Sequence, residues 1–171
     1  PQERLIFVHT TMDQKEIKQI PLHIGHYFAG FADGEGSFNV SLRKKADYGV
    51  GWQLCPSFNI SQKDPTVLFL FKRYLKCGTL RKRPDGVMYY EVLSIDMLWK
   101  TVIPFFEKFQ FLSSSKKTNF SIFRKIMQLM YERKHLTREG FNEILRLRET
   151  INEGHGRTRK YNINDVTLRQ K

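Results

Sequence analysis

The chain has 171 residues, 40% hydrophobic and 27% charged, a balance that suits one domain with a real core and excludes a disordered chain. Lysine and arginine number 29 against 17 acids, for a net charge of +12 and a pI near 9.8. An excess of this size in a folded domain points to a polyanionic partner, above all nucleic acid.

Residues 1–20 join a β-like patch, RLIFVH, to the polar TTMDQKEIKQ and read as an N-terminal extension. Pro21 opens a buried helix over about 21–33, PLHIGHYFAGFAD, which GEG ends. SFNVSL then alternates, with Phe38, Val40 and Leu42 on one face and Ser37, Asn39, Ser41 and Arg43 on the other. WQLCPSFNISQ repeats the period-two pattern, and the Gly-containing loop between the two predicts a hairpin. Asp64 and Pro65 start a helix that Gly78 follows. TLRKRPDGVMYYEVLSI forms a second hairpin turned by PDG, although its last strand, VMYYEVLS, shows no clear parity. Three helical segments follow, DMLWKTVIPFFEKF, SSKKTNFSIFRKIMQLMYERK and TREGFNEILRLRETIN, before a Gly-broken basic tail.

This order predicts an α+β fold, one antiparallel four-stranded sheet with helices on a single face. A core domain over 21–151 sits between the 1–20 extension and a basic tail over 152–171. The other face of the strands is rich in Asn, Ser, Gln and Arg, groups suited to base edges. No apolar run approaches a membrane span, and the N-terminus lacks a signal-peptide layout, so no membrane partner is expected. The start at Pro1 rather than Met points to N-terminal processing or trimming, with which a targeting segment can be lost. Cys55 and Cys77 have no close-spaced partners, and the only tight histidine pair is His23 with His26. Zinc clusters are normally paired; two reduced thiols in an intracellular protein are expected, in an organelle or a prokaryotic cytoplasm.

The stretch GHYFAGFAD carries small residues at Gly25, Ala29, Gly30 and Ala32. Small residues let another backbone approach closely, although a crowded core helix under the sheet has the same composition. The glycines of DGEG leave Glu35 at the helix end with little bulk around it. A carboxylate beside exposed backbone carbonyls suits a hard, oxygen-seeking cation such as Mg²⁺. Phosphodiester hydrolysis usually employs clustered acids and two metals, yet the stretch has no second copy in the chain. If the helix packed on its symmetry mate, two copies of Glu35 would meet at a two-fold axis.

FAGFADGEG, residues 28–36, resembles the signature of the LAGLIDADG homing endonucleases: small residues at positions two and three, acids at six and eight, then glycine. The helix–hairpin–helix–hairpin order resembles that family's core from about 21 to 150. FNISQKD and GTLRKR resemble the ends and starts of its second and third strands. The single motif resembles the homodimeric branch. The resemblance implies an αββαββα core, here with an extra C-terminal helix, and a sequence-recognising, Mg²⁺-dependent DNase acting as a homodimer on double-stranded DNA. Mn²⁺ is expected to substitute, and Ca²⁺ to support binding without cleavage.

Residue by residue, Glu35 matches the metal-binding acid, with the Gly34 carbonyl as a further ligand. Asp33 matches the structural acid at the helix end near the interface, which Gly25, Phe28, Ala29, Gly30 and Ala32 would form. Gln62 matches a polar residue that positions active-site water, and its parity with Phe58 and Ile60 points it inward. The family also steadies the scissile phosphate with a basic residue after the third helix. LSSSKKTNF departs from that pattern, with serines where a lysine often follows the leucine, so Lys116 is the first candidate and Lys117 the second. The DNA-reading set is then Asn39, Ser41, Arg43, Gln53, Ser57, Asn59, Ser61, Arg81 and Arg83, since Arg suits guanine and Asn or Gln adenine in the major groove. Lys44, Lys45 and Lys82, with Arg157, Arg159 and Lys160 of the tail, are expected to hold phosphates. The competing reading keeps the fold without cleavage, as an RNA-splicing maturase (with RNA the partner) or a DNA-binding regulator. A general basic nucleic-acid chaperone is the third reading, and it would need no ordered helix–sheet core.

Overall fold

A computed structural model describes residues 14–152 and 159–166. A short helix, α1 (Gln14–Gln19), precedes α2 (Leu22–Glu35), which runs directly into strand β1 (Gly36–Lys44). β2 (Trp52–Gln62), α3 (Thr66–Leu75), β3 (Thr79–Lys82) and β4 (Met88–Val92) follow. The strands form the expected four-stranded antiparallel sheet, with the two hairpins joined through β2 and β4 in the order β1-β2-β4-β3. A continuous helical segment then runs through α4 (Ile95–Met97), a π-helical stretch (Leu98–Val102) and α5 (Ile103–Lys108). Pro104 has no N–H to donate to the preceding turn, and the helix widens just before it. Two long helices, α6 (Ser114–Tyr131) and α7 (Arg138–Thr150), complete the helical layer.

Even-numbered strand residues make the core. Phe38, Val40, Leu42, Leu54, Phe58, Ile60, Tyr90 and Val92 are all buried under the helices. Phe38 alone packs against the rings of Phe58, Phe106, Phe111, Phe120 and Phe123. A fully buried phenylalanine contributes about 1.5–3 kcal/mol of apolar transfer, so this cluster fixes which sheet face is inward and therefore which is free.

The extension expected over 1–20 has structure from Gln14 onward. Ile17 and Ile20 are buried, and Lys108 Nζ donates to the carbonyls of Ile17 (3.2 Å) and Lys18 (3.1 Å). Polar composition hid this helix, because only one side of it meets the core. At the other end, the outer edge of β1 is covered from α7. The buried Arg148 donates through Nε to the Val40 carbonyl (2.6 Å) and through Nη2 to Tyr161 (2.8 Å). Asn152 Nδ2 reaches the Phe38 carbonyl (2.8 Å).

The two thiols have different settings. Cys77 is buried beside the Tyr90 hydroxyl (3.8 Å), and burial pushes its pKa up to about 11 although that hydroxyl pulls the other way. Cys55 is half-buried on the opposite sheet face; burial raises its pKa while Arg43 and Lys45 oppose the shift. Because the thiolate is the reactive form, a thiol-specific reagent at pH 8 is expected to label Cys55 and leave Cys77 untouched until urea unfolds the chain. Stability that depends on the neutral Cys77 thiol is present below about pH 9, its ordinary value, and is lost as pH rises toward 11. Equal labelling of both cysteines in the native protein would contradict this.

Candidate active site and nucleic-acid interface

Helix α2 extends two residues beyond the expected 21–33 and ends on Glu35 itself. Gly36 begins β1 at once, and a Cβ there would lie 2.6 Å from the Ala32 carbonyl oxygen, so only glycine permits so abrupt a change from helix to strand. Glu35 is exposed, as is Gly34. The last carbonyls of a helix lack intrahelical donors and carry its negative pole, so this corner is anionic within a basic protein.

Asp33 and Glu35 have separate surroundings. Asp33 Oδ2 accepts from the backbone N–H of Leu112 (3.1 Å) and Ser113 (3.0 Å), while Oδ1 accepts from the Ser113 hydroxyl. Burial raises the Asp33 pKa, but the Ser113 and Leu112 hydrogen bonds and the charge of Lys116 outweigh it, leaving the carboxyl below its ordinary value. Ser113 is in turn the N-cap of α6, accepting from the Lys116 N–H (3.3 Å). The expected departure at LSSSKK thus has a structural role: the serine caps α6 and ties it to α2.

Lys116 follows one turn later. Its ammonium donates to the Gly36 carbonyl, beside Asp33 and Glu35. Burial lowers its pKa, with both carboxylates opposing. Lys117 is exposed on the same turn. Gln62 closes β2 on the inward parity, two residues beyond the Ile60–Gly36 pair, and its Oε1 accepts from the Lys63 N–H (3.0 Å). Glu35, Lys116 and Gln62 therefore gather at one end of the sheet.

The outward face matches the expected alternation. Asn39 pairs with Ser57, Ser41 with Cys55 and Arg43 with Gln53, and the same parity continues through Asn59 and Ser61 to Tyr89 and Glu91 of β4 and to Thr79 and Arg81 of β3. Ser57 and Asn59, on the inner strand β2, are largely covered by their neighbours. Cys55, Thr79, Tyr89 and Glu91 share this face, beyond the expected set. The β3–β4 register places the last three, and their sequence lacks a readable alternation. Lys44 lies over the rings of Trp52 and Tyr161 (5.6 Å each), and Lys45 over Tyr48 (4.7 Å). Lys82 ends β3, exposed, and Lys160 is exposed over Tyr161.

Three expectations are corrected. Gly25, Phe28, Ala29 and Ala32 do not form an outer helix face. All four are buried in the chain's own core, with Phe28 stacked on Phe71 (4.2 Å) and the Phe109 ring filling the space beside Gly25. Asp33, at the end of the same helix, turns its carboxylate to the Leu112–Ser113 loop. The open face carries His23, Tyr27, Gly30 and Gly34, and a Cβ at Gly30 would meet nothing within 4 Å. Second, Arg83 lies past the end of β3, in the hairpin turn, paired with Asp85 (3.4 Å). Third, Arg159 does not reach outward for phosphate. Its guanidinium donates to the Arg148 carbonyl (2.8 Å), the Ile151 carbonyl (2.6 Å) and Glu149 (2.7 Å), where it closes the end of α7. Arg157 lies outside the described residues.

The model of the LAGLIDADG endonuclease family matches residues 28–127, from the α2 motif through most of α6. The chain belongs to the LAGLIDADG endonuclease family. A curated relative by sequence, "Probable intron-encoded endonuclease 2" of Neurospora crassa, is 38% identical over 138 residues, covering 78% of this chain. The chain spans 30% of the length of that protein and 25% of "Probable intron-encoded endonuclease 3" of the same organism. Among solved structures, the homing endonuclease I-TnaI superposes with a TM-score of 0.71 at 33% identity, covering 76% of this chain and 88% of that one. The LAGLIDADG homing endonuclease I-SmaMI bound to cleaved DNA gives 0.72 at 31% identity, covering 77% of this chain and 45% of that one. I-SmaMI is also known on its uncleaved DNA target in the presence of calcium ions.

Oxygen donors suit a hard cation, and Glu35 with the Gly34 carbonyl supplies two of them. Among the described residues no group of three or more His, Cys, Asp or Glu side chains could hold a metal ion. Two oxygen donors fit part of a divalent-metal site and are too few to close one. Also among the described residues, no helix is long and apolar enough to cross a membrane.

Proposed function

We propose that this chain is an intron-encoded, site-specific DNA endonuclease. As a homodimer it would hydrolyse phosphodiesters in both strands of a long, pseudo-palindromic site, using Mg²⁺. The observation that carries the reading is the convergence of Glu35, Lys116 and Gln62 at one end of a sheet whose free face is polar and basic. A protein that only bound nucleic acid, as a splicing maturase or regulator, would need the face but not the corner.

Each residue has a part. Glu35 and the Gly34 carbonyl would hold Mg²⁺, which when bound polarises the phosphate and lowers the pKa of attacking water. Gln62 orients that water through its side-chain amide. The Lys116 ammonium, held against the Gly36 carbonyl, faces the charge that grows on the phosphate oxygens as the P–O bond breaks. Asp33 positions Lys116 by fixing the start of α6. Outward residues of the four strands read base edges, while Lys44, Lys45, Lys82, Lys117 and Lys160 neutralise phosphates. The second copy docks along the His23, Tyr27, Gly30, Gly34 stripe of α2, spaced four, three and four residues apart on one helix face, and brings its own Glu35 to complete the metal cluster.

The decisive experiment is a cleavage selection on a randomised duplex library with Mg²⁺, with the mass of the DNA complex measured in Ca²⁺. Two 20.3 kDa chains per complex and a recovered, roughly symmetric site are expected. One chain per complex would remove the homodimer, and no cutting of any duplex would remove the nuclease. For the lysines, Lys116→Met is expected to lower single-turnover cleavage by about 10²-fold, the usual loss for one transition-state donor, with DNA affinity nearly kept. Lys117→Met is expected to change the rate less than about threefold while weakening binding at raised salt. A reversed order of the two would reassign the phosphate-steadying residue.

A further inference from the structure

Glu91 is the sole acid among the outward-facing residues of the four strands. An acid in the middle of a surface meant for DNA opposes binding, so its presence needs a reason. Its side chain is 12% exposed, whereas that of Arg81, its ion-pair partner on β3, is 63% exposed. Arg81 Nη2 donates to Glu91 Oε2. The Arg81 guanidinium also lies over the Tyr89 ring, 5.9 Å from its centroid, within cation–π range. The carboxylate is thus low on the sheet and the guanidinium above it. Arg81 and Tyr89 are a directly opposed pair, and Thr79 opposite Glu91 is the next pair on the same side.

An unrestrained arginine on this surface would lose its rotamer freedom on binding and would pair with any phosphate within reach. Glu91 and Tyr89 remove both tendencies. The bond to Glu91 engages one edge of the guanidinium and the ring supports its plane, while the remaining N–H groups stay available in a fixed fork. Guanine offers that fork its O6 and N7 acceptors in the major groove. Neutralisation by Glu91 also weakens the general pull of Arg81 on phosphate. We propose that Glu91 is a specificity-determining residue of this chain, acting with Tyr89 to lock Arg81 as a guanine reader. The inference rests on the DNA-recognition reading above.

The test is a binding selection on a randomised duplex library in Ca²⁺, comparing the wild type with Arg81→Lys and Glu91→Gln. Glutamine keeps the shape of Glu91, and lysine keeps the charge of Arg81 without the fork, so thermal midpoints serve only to check folding. Wild type is expected to enrich one guanine in each half-site. Arg81→Lys is expected to reduce that preference about tenfold or more, as loss of a bidentate base contact does. Glu91→Gln is expected to relax the same position about threefold while tightening binding to mixed-sequence DNA. A purely structural role for Glu91 would lower both together. If Glu91→Gln alters a different position from Arg81→Lys, Glu91 reads a base itself and the lock is overturned; so is it if the guanine preference is unchanged. A wild type that enriches no sequence overturns the DNA-recognition reading, and this inference with it.

Discussion

Replacing Glu35 with glutamine is expected to abolish cleavage while leaving DNA binding in Ca²⁺ intact. The substitution removes one anionic oxygen from the exposed end of α2 and changes nothing in the core. A bound metal contributes several kcal/mol to phosphodiester hydrolysis, and each 1.36 kcal/mol is tenfold in rate. The expected loss in single-turnover cleavage is therefore about 10³-fold or more. Affinity should hold or rise slightly, because the base-reading strands are untouched and one negative charge near phosphate is gone. Gel-shift titration in Ca²⁺ alongside plasmid cleavage in Mg²⁺ separates the two effects. Cutting by Glu35→Gln at near the wild-type rate would end the assignment of Glu35 as the metal ligand. Asp33→Asn should give a different profile: its carboxylate is engaged with Leu112 and Ser113, so thermal stability should fall along with activity.

The two glycines of α2 should respond in opposite ways. A Cβ at Gly25 would sit 2.2 Å from the Phe109 ring, inside the core. Gly25→Ala is expected to destabilise the chain by about 1–3 kcal/mol through overpacking, less the helix-propensity gain of about 1 kcal/mol. Its signature is a lower urea midpoint, with assembly affected only through folding. At Gly30 nothing lies within 4 Å of the added carbon. Gly30→Leu should leave the isolated fold at or above wild-type stability, since leucine is the better helix former. It should prevent a second helix from closing on the stripe, so the DNA complex loses one chain and with it the second Glu35, and cleavage falls at least as far as for Glu35→Gln, about 10³-fold or more. Equal urea midpoints for Gly25→Ala and wild type, or an intact dimer with Gly30→Leu, would refute this division of α2 into a core face and a docking face.

Legibility in the sequence followed local period. The alternation through 38–42 and 53–61 fixed both the inward set and the reading face of β1 and β2, because polar and apolar residues there rarely share a side. MYYEV of β4 puts apolar or aromatic residues on both sides, so the places of Tyr89 and Glu91 came only from pairing with β2 and β3. In α2 small and aromatic residues lie nearly all round the helix, and composition could not distinguish the face meeting Phe71 and Phe109 from the open one. Nothing local in KK distinguishes Lys116 from Lys117; the contact that does is with Gly36, 80 residues earlier, a separation that no local pattern encodes. The Asp33–Ser113 link, likewise spanning 80 residues, explains why serine follows Leu112. Charge alone points Arg159 at phosphate, whereas the open carbonyls at the end of α7 bind it.

The covering of β1 by Arg148 and Asn152 bears on how this unit is cut and joined. Phe38 and Val40 present their carbonyls along an edge that would otherwise recruit a foreign strand. A fragment trimmed to the end of α7 would lose Asn152 and the Tyr161 and Arg159 contacts that hold Arg148 in place. Such a fragment should self-associate through β1, in register with its like rather than through α2. Two copies fused head to tail as a single polypeptide should therefore retain residues through 166 in the first copy before the linker begins.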